Sequence, residues 1–278
     1  MTASPVHSSS ADPLTLSSRA RAIPLPDDPD RARNGWIDFN EAVSEAGLDE
    51  LKAATLTPEN REKMDAIFGN SPYLTRIMVR KPELALNMLD DAGDLCRTIM
   101  DELAAHVPTL TDTDAVMAAL RRAKLKVSLV VAAADIWSLW PLDRVTGTLS
   151  TLAELTLDLA VAHLLRAGMV KGELAPPDGC TDPAALTATP ELGRKSGFIV
   201  LGMGKLGGRE LNYSSDIDLI LLFDNDVVRY TGRKTVQQFF VRLARDLVRM
   251  MQERTGDGYV FRTDLRLRPD PGASNIAM

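Results

Sequence analysis

Residues that commonly mark a metal site or a disulfide framework are scarce in this sequence. Its 278 residues include two cysteines, Cys96 and Cys180, and three histidines, and none of them has zinc-site or disulfide-framework spacing. Two free thiols in a reducing cytoplasm are therefore expected. Aromatic residues make up only 5% of the chain, while leucine and alanine are abundant. This balance favours helices over an all-β fold.

Positive charge and long apolar runs are also limited. The net charge is −6, and the basic residues cluster only around 121–126 and 262–268. Because proteins that grip nucleic acid usually carry a basic surface, we expect no nucleic-acid partner, and instead a small nucleotide or a protein substrate. We find no apolar run long enough to span a bilayer and no secretory signal at the N-terminus. The sequence therefore predicts a cytoplasmic protein with no membrane partner.

Composition divides the chain into four segments. Residues 1–34 are rich in serine, proline and alanine and are predicted to be a flexible leader. Residues 35–170 have the apolar spacing of an all-helical bundle. Residues 171–195 are rich in proline, glycine and threonine and predict a linker, and residues 196–278 change to an α/β pattern. The predicted fold class is therefore α+β.

Start and stop signals locate the helices of the first part. Thr57-Pro58 begins one helix, and Pro82 interrupts another whose apolar residues recur at three and four positions. A long helix is predicted to begin with the capping residue Asp112 and to close at Pro141, where the next helix begins and runs to Gly168. Such amphipathic helices are mostly core packing and indicate no activity by themselves.

The second part alternates strands and helices. Apolar runs at 198–201 and 217–223 predict two strands, separated by a glycine-rich turn. An amphipathic helix is predicted over 234–254. Residues 259–267 then alternate between apolar and polar side chains, which predicts a third strand.

Three aspartates are the candidate catalytic and metal-binding residues. Asp216 and Asp218 are two positions apart on a predicted strand, so both side chains are expected on one face of the sheet. Neighbouring carboxylates repel each other, and a bound Mg²⁺ removes that repulsion. Asp264 lies on the third predicted strand and is the natural third ligand. Such a set could hold two ions and stabilise an in-line displacement at phosphorus.

A glycine cluster precedes the aspartates and is a candidate phosphate-binding turn. Gly204, Gly207 and Gly208 would allow the backbone to approach a phosphate closely, with its N–H groups directed at the ligand. Side chains nearby are candidates for hydroxyl or cationic contacts with phosphate; they are Lys205, Arg209, Ser214, Ser215, Arg266 and Arg268.

Structural explanations compete with these roles. A lone Asp-x-Asp pair often lies in a solvated turn, but here the pair lies inside an apolar strand. Asp264 could instead pair with Arg262 or Arg266, and each single lysine or arginine could form only a solvated salt bridge.

The second part resembles a known enzyme superfamily. A Gly-Gly turn followed by Asp-x-Asp, with a third acid on a later strand, is similar to the nucleotidyltransferases related to DNA polymerase β. The strings GMGKLGGRELNYSSDIDLI and FRTDLRLRPD resemble, more closely, the bifunctional glutamine synthetase adenylyltransferase/adenylyl-removing enzymes. The helical strings SPYLTRIMVRKPELALNML and LRRAKLKVSLVVAAADIWSL resemble the region before the first catalytic domain of that family.

The family resemblance implies an activity. Its members have two similar catalytic domains: the first removes AMP from a tyrosine of glutamine synthetase by phosphorolysis and releases ADP, and the second adds AMP from ATP. A motif near residue 200, after one helical domain, implies the first, adenylyl-removing half. Asp216, Asp218 and Asp264 would then bind Mg²⁺, Gly207 and Gly208 would form the phosphate turn, and glutamine synthetase would be the protein substrate.

The resemblance also implies that this chain lacks part of the family's structure. Family members continue for several hundred residues after the third acid, so the nucleotidyltransferase domain at 196–278 is expected to be incomplete. The adenylylating domain, the glutamine response and signalling by the PII protein would all lie outside this chain.

Two alternatives remain open at this stage. The chain could be a different nucleotidyltransferase, such as a PII uridylyltransferase, an antibiotic-modifying enzyme or an RNA-tailing enzyme, although the string KLGGRELNYSSDIDL and the negative net charge argue against these. It could also be an inactive fragment that only binds glutamine synthetase.

Overall fold

The computed structural model describes residues 23–266 and 276–277 of the chain. The predicted leader of 1–34 is too long at its C-terminal end, because the first helix begins at Pro29. The Asp28 side chain caps this helix by accepting a hydrogen bond from the backbone N–H of Arg31. Asn70 also bonds the backbone of Leu25 and Asp27, so this stretch is attached to the helical part. The rest of the predicted leader, residues 1–22, lies outside the described residues.

The first part of the chain is built from helices, as predicted. Their bounds are α1 Pro29–Glu45, α2 Asp49–Ala54, α3 Pro58–Asn70, α4 Pro72–Arg80, α5 Glu83–His106, α6 Thr113–Ile136 and α7 Leu142–Val170. The side chains of Thr57 and Asp112 accept backbone N–H groups at the starts of α3 and α6, as their positions in the sequence indicated. Helix α6 ends at Ile136, before Pro141, because the backbone turns between α6 and α7.

Helix α7 corrects one expectation. It is long and apolar enough to cross a membrane by length and composition, although we predicted no such segment. However, 67% of its most apolar window is buried inside the fold, and the core helix of a globular protein passes the same test. Its apolar residues are therefore explained by packing against the neighbouring helices.

The segment predicted as a linker packs against the rest of the fold. Leu174 forms an isolated β-bridge with Tyr230, and a short helix, α8 Pro190–Arg194, follows. The buried guanidinium of Arg166 on α7 donates hydrogen bonds to the carbonyl oxygens of Leu186 and Pro108. Residues 171–195 thus connect the two parts through defined contacts.

Among the described residues of the second part, four short strands form one mixed sheet. They are β1 Phe198–Met203, β2 Ile217–Phe223, β3 Thr263–Asp264 and β4 Ile276–Ala277. β1 pairs antiparallel with β2, and both β3 and β4 pair parallel with β2. The predicted strands at 198–201 and 217–223 are confirmed.

Helices α9 Gly204–Gly207 and α10 Val236–Gln252 complete this part. The predicted helix of 234–254 is confirmed with slightly narrower bounds, and Thr235 and Gln238 form a capping box at its start. The rings of Phe198 and Phe223 both stack on Phe240, which fixes α10 against one face of the sheet. Together the two parts form an α+β fold.

The predicted strand over 259–267 is wrong for most of its length. Of its described residues, 259–266, only Thr263–Asp264 forms a strand, and Val260 and Phe261 are both buried instead of alternating. The backbone N–H groups of both residues donate to the carbonyl oxygen of Met251 at the end of α10. The segment therefore packs against the helix terminus before it enters the sheet.

The helical part and the α/β part share an interface. Arg121 of α6 is fully buried, and its guanidinium donates to the carbonyl oxygens of Glu253 and Gly258, just after α10. Phe239 of α10 approaches the backbone of Gly168 in α7 so closely that an added Cβ would lie 2.9 Å from the ring. These contacts place α6 and α7 beside the segments that carry the candidate site.

Candidate active site

Two of the three predicted aspartates are direct neighbours in the sheet. Asp218 of β2 and Asp264 of β3 are partners in the parallel register. Asp216 lies just before β2, whose residues Ile217 and Leu219 are buried while Asp218 is only partly buried. Because side chains alternate along the strand, Ile217 and Leu219 pack into the core, and Asp216 and Asp218 lie on the opposite face, at the cleft. The structure therefore brings all three aspartates to the same end of β2.

Arginine side chains pair with two of these aspartates. Nε of Arg262 lies 2.5 Å from Oδ1 of Asp216, and the same guanidinium donates to the carbonyl oxygen of Ser214. Nε of Arg266 lies 3.0 and 2.9 Å from the two carboxylate oxygens of Asp264. Hydrogen bonds from the side chain and backbone of Arg266 lower the pKa of Asp264 to about 2, so this carboxylate stays charged.

The donor atoms fit Mg²⁺, but the side-chain arrangement shown does not assemble an ion site. Within 23–266, no group of three acidic, histidine or cysteine side chains converges closely enough to hold a metal ion. The guanidinium groups instead neutralise two of the carboxylates. The side chains of Arg262 and Arg266 are 52% and 88% exposed, so neither is locked in place by the core. The three aspartates would then offer the hard oxygen donors that Mg²⁺ prefers.

Gly204 is the glycine that faces the aspartates. It has a positive φ of +52°, and a Cβ added there would lie 2.6 Å from Oδ2 of Asp218. Gly207 is needed for another reason, because its added Cβ would lie 2.6 Å from the carbonyl oxygen of Gly202. Gly208 has an ordinary φ of −80° and no such close contact. Of the predicted glycine turn, only Gly204 therefore makes a close approach to the carboxylates.

The predicted cationic side chains point in different directions. Nζ of Lys205 lies 3.5 Å from the hydroxyl of Ser215 and lines the cleft. Arg209 turns away from the cleft and contacts both carboxylate oxygens of Glu154 on α7 at 2.8 Å. Arg266 is paired with Asp264, and Arg268 lies outside the described residues. Among the predicted cations that the structure describes, Lys205 is thus the one that lies in the cleft without an acidic partner.

An open cleft of about 620 Å³ is lined by part of the candidate residues, and Asp264 is not in its lining. Its lining includes Asp216, Asp218, Gly204, Lys205, Ser214 and Ser215, together with Asn212, Tyr213 and Arg262. Its volume is in the range of clefts that bind small molecules. Carboxylates, one lysine and hydroxyl groups around such a cleft can hold a phosphate ester together with a cation.

Comparison with known proteins identifies the family. The family model described as glutamate-ammonia ligase adenylyltransferase matches residues 61–278. The chain belongs to this family. The resemblance of the sequence to this enzyme family is therefore confirmed.

Curated relatives of the adenylyltransferase family match most of this chain. A bifunctional glutamine synthetase adenylyltransferase/adenylyl-removing enzyme of Rhodopseudomonas palustris (strain HaA2) is 38% identical over 268 residues, which is 96% of this chain and 26% of the relative. Enzymes with the same name from Bradyrhizobium diazoefficiens and Xanthobacter autotrophicus are 38% and 36% identical over 90% and 99% of this chain. The chain thus spans about a quarter of the length of these relatives.

Three cleft residues of this family member were not among the predicted site residues: Asn212, Tyr213 and Arg262. The hydroxyl of Tyr213 donates to a carboxylate oxygen of Asp135 on α6, which attaches the loop before β2 to the helical part. The sequence offers no signal for this long-range contact. Arg262 precedes Asp264 by two positions, so the sequence suggested that these two side chains could pair. The structure pairs Arg262 with Asp216 instead.

Proposed function

We propose that this chain carries the adenylyl-removing site of a bifunctional enzyme that regulates glutamine synthetase, and that it acts in the cytoplasm. The proposal depends chiefly on one observation: Asp218 and Asp264 are register partners in the sheet, with Asp216 beside them at the cleft. This arrangement supports a nucleotidyltransferase-type domain related to DNA polymerase β. The resemblance of the strings SPYLTRIMVRKPELALNML and LRRAKLKVSLVVAAADIWSL to the region before the family's first catalytic domain supports the first of the two domains.

The proposed reaction is a phosphorolysis. An oxygen of inorganic phosphate attacks the phosphorus of the AMP group on a tyrosine of glutamine synthetase, the bond to the tyrosine oxygen breaks, and ADP is released. The tyrosine oxygen leaves with the electron pair of that bond and takes up the proton given up by the attacking phosphate. All atoms of the two substrates are thereby accounted for in ADP and the free tyrosine.

The residues of the cleft have distinct proposed roles. Asp216, Asp218 and Asp264 would hold Mg²⁺, which when bound neutralises charge on the phosphoryl oxygens. Lys205 and the hydroxyl of Ser215 would bind and orient the attacking phosphate. Arg262 and Arg266 hold the carboxylates in the arrangement shown and would turn to phosphate oxygens once substrate binds.

A direct assay tests this proposal. AMP-modified glutamine synthetase is incubated with the chain, inorganic phosphate and Mg²⁺, and ADP release is measured. We expect release by the parent chain and a loss of ~100-fold or more in Asp216→Asn, because a charged group that stabilises the transition state is removed. Asp226→Asn, an exposed acid in the turn after β2, is the matched control and should keep parent activity.

The opposite outcomes are equally informative. Failure of the folded parent chain to release ADP, with glutamine synthetase still bound, would reject the removing activity and favour the binding-only alternative. Release of the corresponding nucleotide from nucleotide-modified PII or from an RNA end, and not from glutamine synthetase, would favour a different nucleotidyltransferase. Equal activity of Asp216→Asn and the parent would reject the assigned site.

A further inference from the structure

A second cavity lies behind the catalytic cleft, between the helical part and the α/β part. Its volume is about 500 Å³, and its walls come from α6, from residues 213–215 and from residues 254–261. Tyr213, Ser214 and Ser215 line this cavity and also the cleft that contains Asp216. A ligand in this rear cavity would therefore contact the loop that leads into the aspartates.

Lys124 provides a cation in the rear cavity that has no anionic partner. Its ammonium donates to the hydroxyl of Ser128 at 2.7 Å and lies 4.7 Å from the ring centre of Phe261. Burial lowers the pKa of Lys124 to about 8, and no carboxylate among the described residues offsets this effect. Because this lysine is partly buried and has no counter-ion among these residues, an anionic ligand at this place would offset its charge.

Two of the other charged groups around the rear cavity are paired within the fold, and the third, Arg254, lies with its guanidinium 5.6 Å from the ring centre of Tyr259. The guanidinium of Arg121 donates to the carbonyl oxygens of Glu253, Gly258 and Met117, which occupies its donors within the fold. The carboxylate of Asp257 lies 3.6 Å from the guanidinium of Arg122. The cavity therefore has an excess of positive charge, carried by Lys124 and Arg254.

Aromatic side chains form much of the remaining wall. Tyr213, Tyr259 and Phe261 line the cavity, and Tyr73 lies at its rim with 58% of its surface exposed. Flat aromatic surfaces bind planar rings by stacking, and a nucleobase is the common biological ring that also carries phosphate. The volume is in the range of pockets that bury a ligand of this size.

We propose that the rear cavity is a second ligand site and that it binds a nucleoside phosphate, with the phosphate at Lys124 and the base between the tyrosines. The ligand would contact Ser214 and Ser215 and so bias the position of the loop before Asp216. The site is separate from the proposed catalytic cleft, and its occupancy does not require turnover.

Binding can be measured without catalysis. Asp216→Asn protein in EDTA is titrated with ADP by calorimetry, and separately with inorganic phosphate and with adenosine. We expect saturable ADP binding, with weaker binding of phosphate and adenosine, because each offers only half of the contacts. This measurement needs neither the Asp216 carboxylate nor a metal ion. Its result therefore does not depend on whether the proposed phosphorolysis occurs.

Variants locate the bound nucleotide. Lys124→Met, which keeps the length and apolar part of the side chain, should weaken ADP binding about tenfold or more, since a charge-assisted hydrogen bond is lost. Lys126→Met, two positions away on α6 and outside the cavity lining, is the matched control and should stay within twofold of the parent. Tyr73→Ser at the exposed rim should weaken ADP binding several-fold without affecting the core.

Several results would overturn the proposal. No saturable ADP binding, or equal binding by Lys124→Met and the parent, would show that the cavity is not such a site. Loss of binding in Lys205→Met but not in Lys124→Met would place the nucleotide in the catalytic cleft. Phosphate binding as tightly as ADP would reject the aromatic part of the site.

Discussion

Gly204 and Asp218 are in such close contact that no side chain fits between them. A Cβ at Gly204 would lie 2.6 Å from a carboxylate oxygen of Asp218. Gly204 immediately follows β1, and Asp218 pairs with Met203 at the end of that strand. The glycine-rich turn and the acidic strand, which are separate motifs in the sequence, therefore form a single unit in the fold.

Gly204→Ala should disturb this unit. The backbone has a φ of +52°, which an alanine adopts only at a cost of about 1–2 kcal/mol, and the new methyl group would displace the Asp218 carboxylate. We expect a lower free energy of unfolding by denaturant and a loss of ADP release. Gly147→Ala on α7, where nothing lies within 4 Å of the new Cβ, should keep or raise stability. Equal behaviour of the two variants would contradict this reading of the turn.

Arg121 should be necessary for the interface between the two parts. Arg121→Met removes a fully buried guanidinium and its hydrogen bonds to the carbonyl oxygens of Glu253 and Gly258, at an expected cost of about 2 kcal/mol in unfolding free energy. The neighbouring Arg122→Met removes only an exposed ion pair to Asp257 and should cost no more than about 0.5 kcal/mol. Chemical denaturation of both variants measures the difference. Similar losses would show that Arg121 does not hold the parts together.

His163 should make stability depend on pH. Burial and the nearby charge of Arg166 lower the pKa of His163 to about 4, below its ordinary value near 6.5. Its neutral form therefore favours the fold above about pH 6.5, and this contribution is lost as pH falls to about 4. At about 1.4 kcal/mol per pKa unit, the loss by pH 4 is roughly 3 kcal/mol.

Two histidine variants check this pH dependence. Unfolding free energies measured between pH 7 and 4 should fall less steeply in His163→Gln than in the parent, although the variant alters the hydrogen bond to Thr113. His106→Gln, at an exposed histidine, should keep the slope of the parent. A parent slope that survives in His163→Gln would assign the acid sensitivity to other groups.

The two thiols should differ in reactivity. Both cysteines are free, as predicted, but Cys96 is buried, and burial raises the pKa of its thiol to about 12. Cys180 is partly exposed in the segment before α8. Iodoacetamide at pH 8 should therefore alkylate Cys180 in the folded protein and Cys96 only after denaturation, as mass spectrometry of peptides can show. Rapid labelling of Cys96 in the folded state would contradict its burial in the helical core.

Local signals predicted many of the elements. Thr57, Asp112 and the proline breaks located helix ends because capping and proline effects act within one turn of helix. The strands β1 and β2 were predicted from apolar runs bounded by glycine and acidic turn residues, which are local signals. The strand predicted over 259–267 was wrong for most of its length, because backbone hydrogen bonds to the end of α10 override the alternation of apolar and polar residues.

The candidate site was predicted less completely than the fold. Asp216 and Asp218 could be placed on one face from their spacing alone, and the structure brings Asp264 beside them. Arg209 was assigned to phosphate, but its partner Glu154 lies on a helix far away in sequence. The metal-binding and phosphate-binding roles of these residues stay predictions, to be tested by the variants described above.

The sequence by itself determined the α+β class, the position of most helices, the two main strands and the membership of the adenylyltransferase family. These depend on periodicity, capping and motif spacing, which are properties of neighbouring residues. Only the tertiary structure decided which aspartate each arginine neutralises, and how Lys124 and Tyr213 come to share one cavity wall with the loop before Asp216. Such contacts join side chains from different elements, and their geometry is set by packing between the two parts.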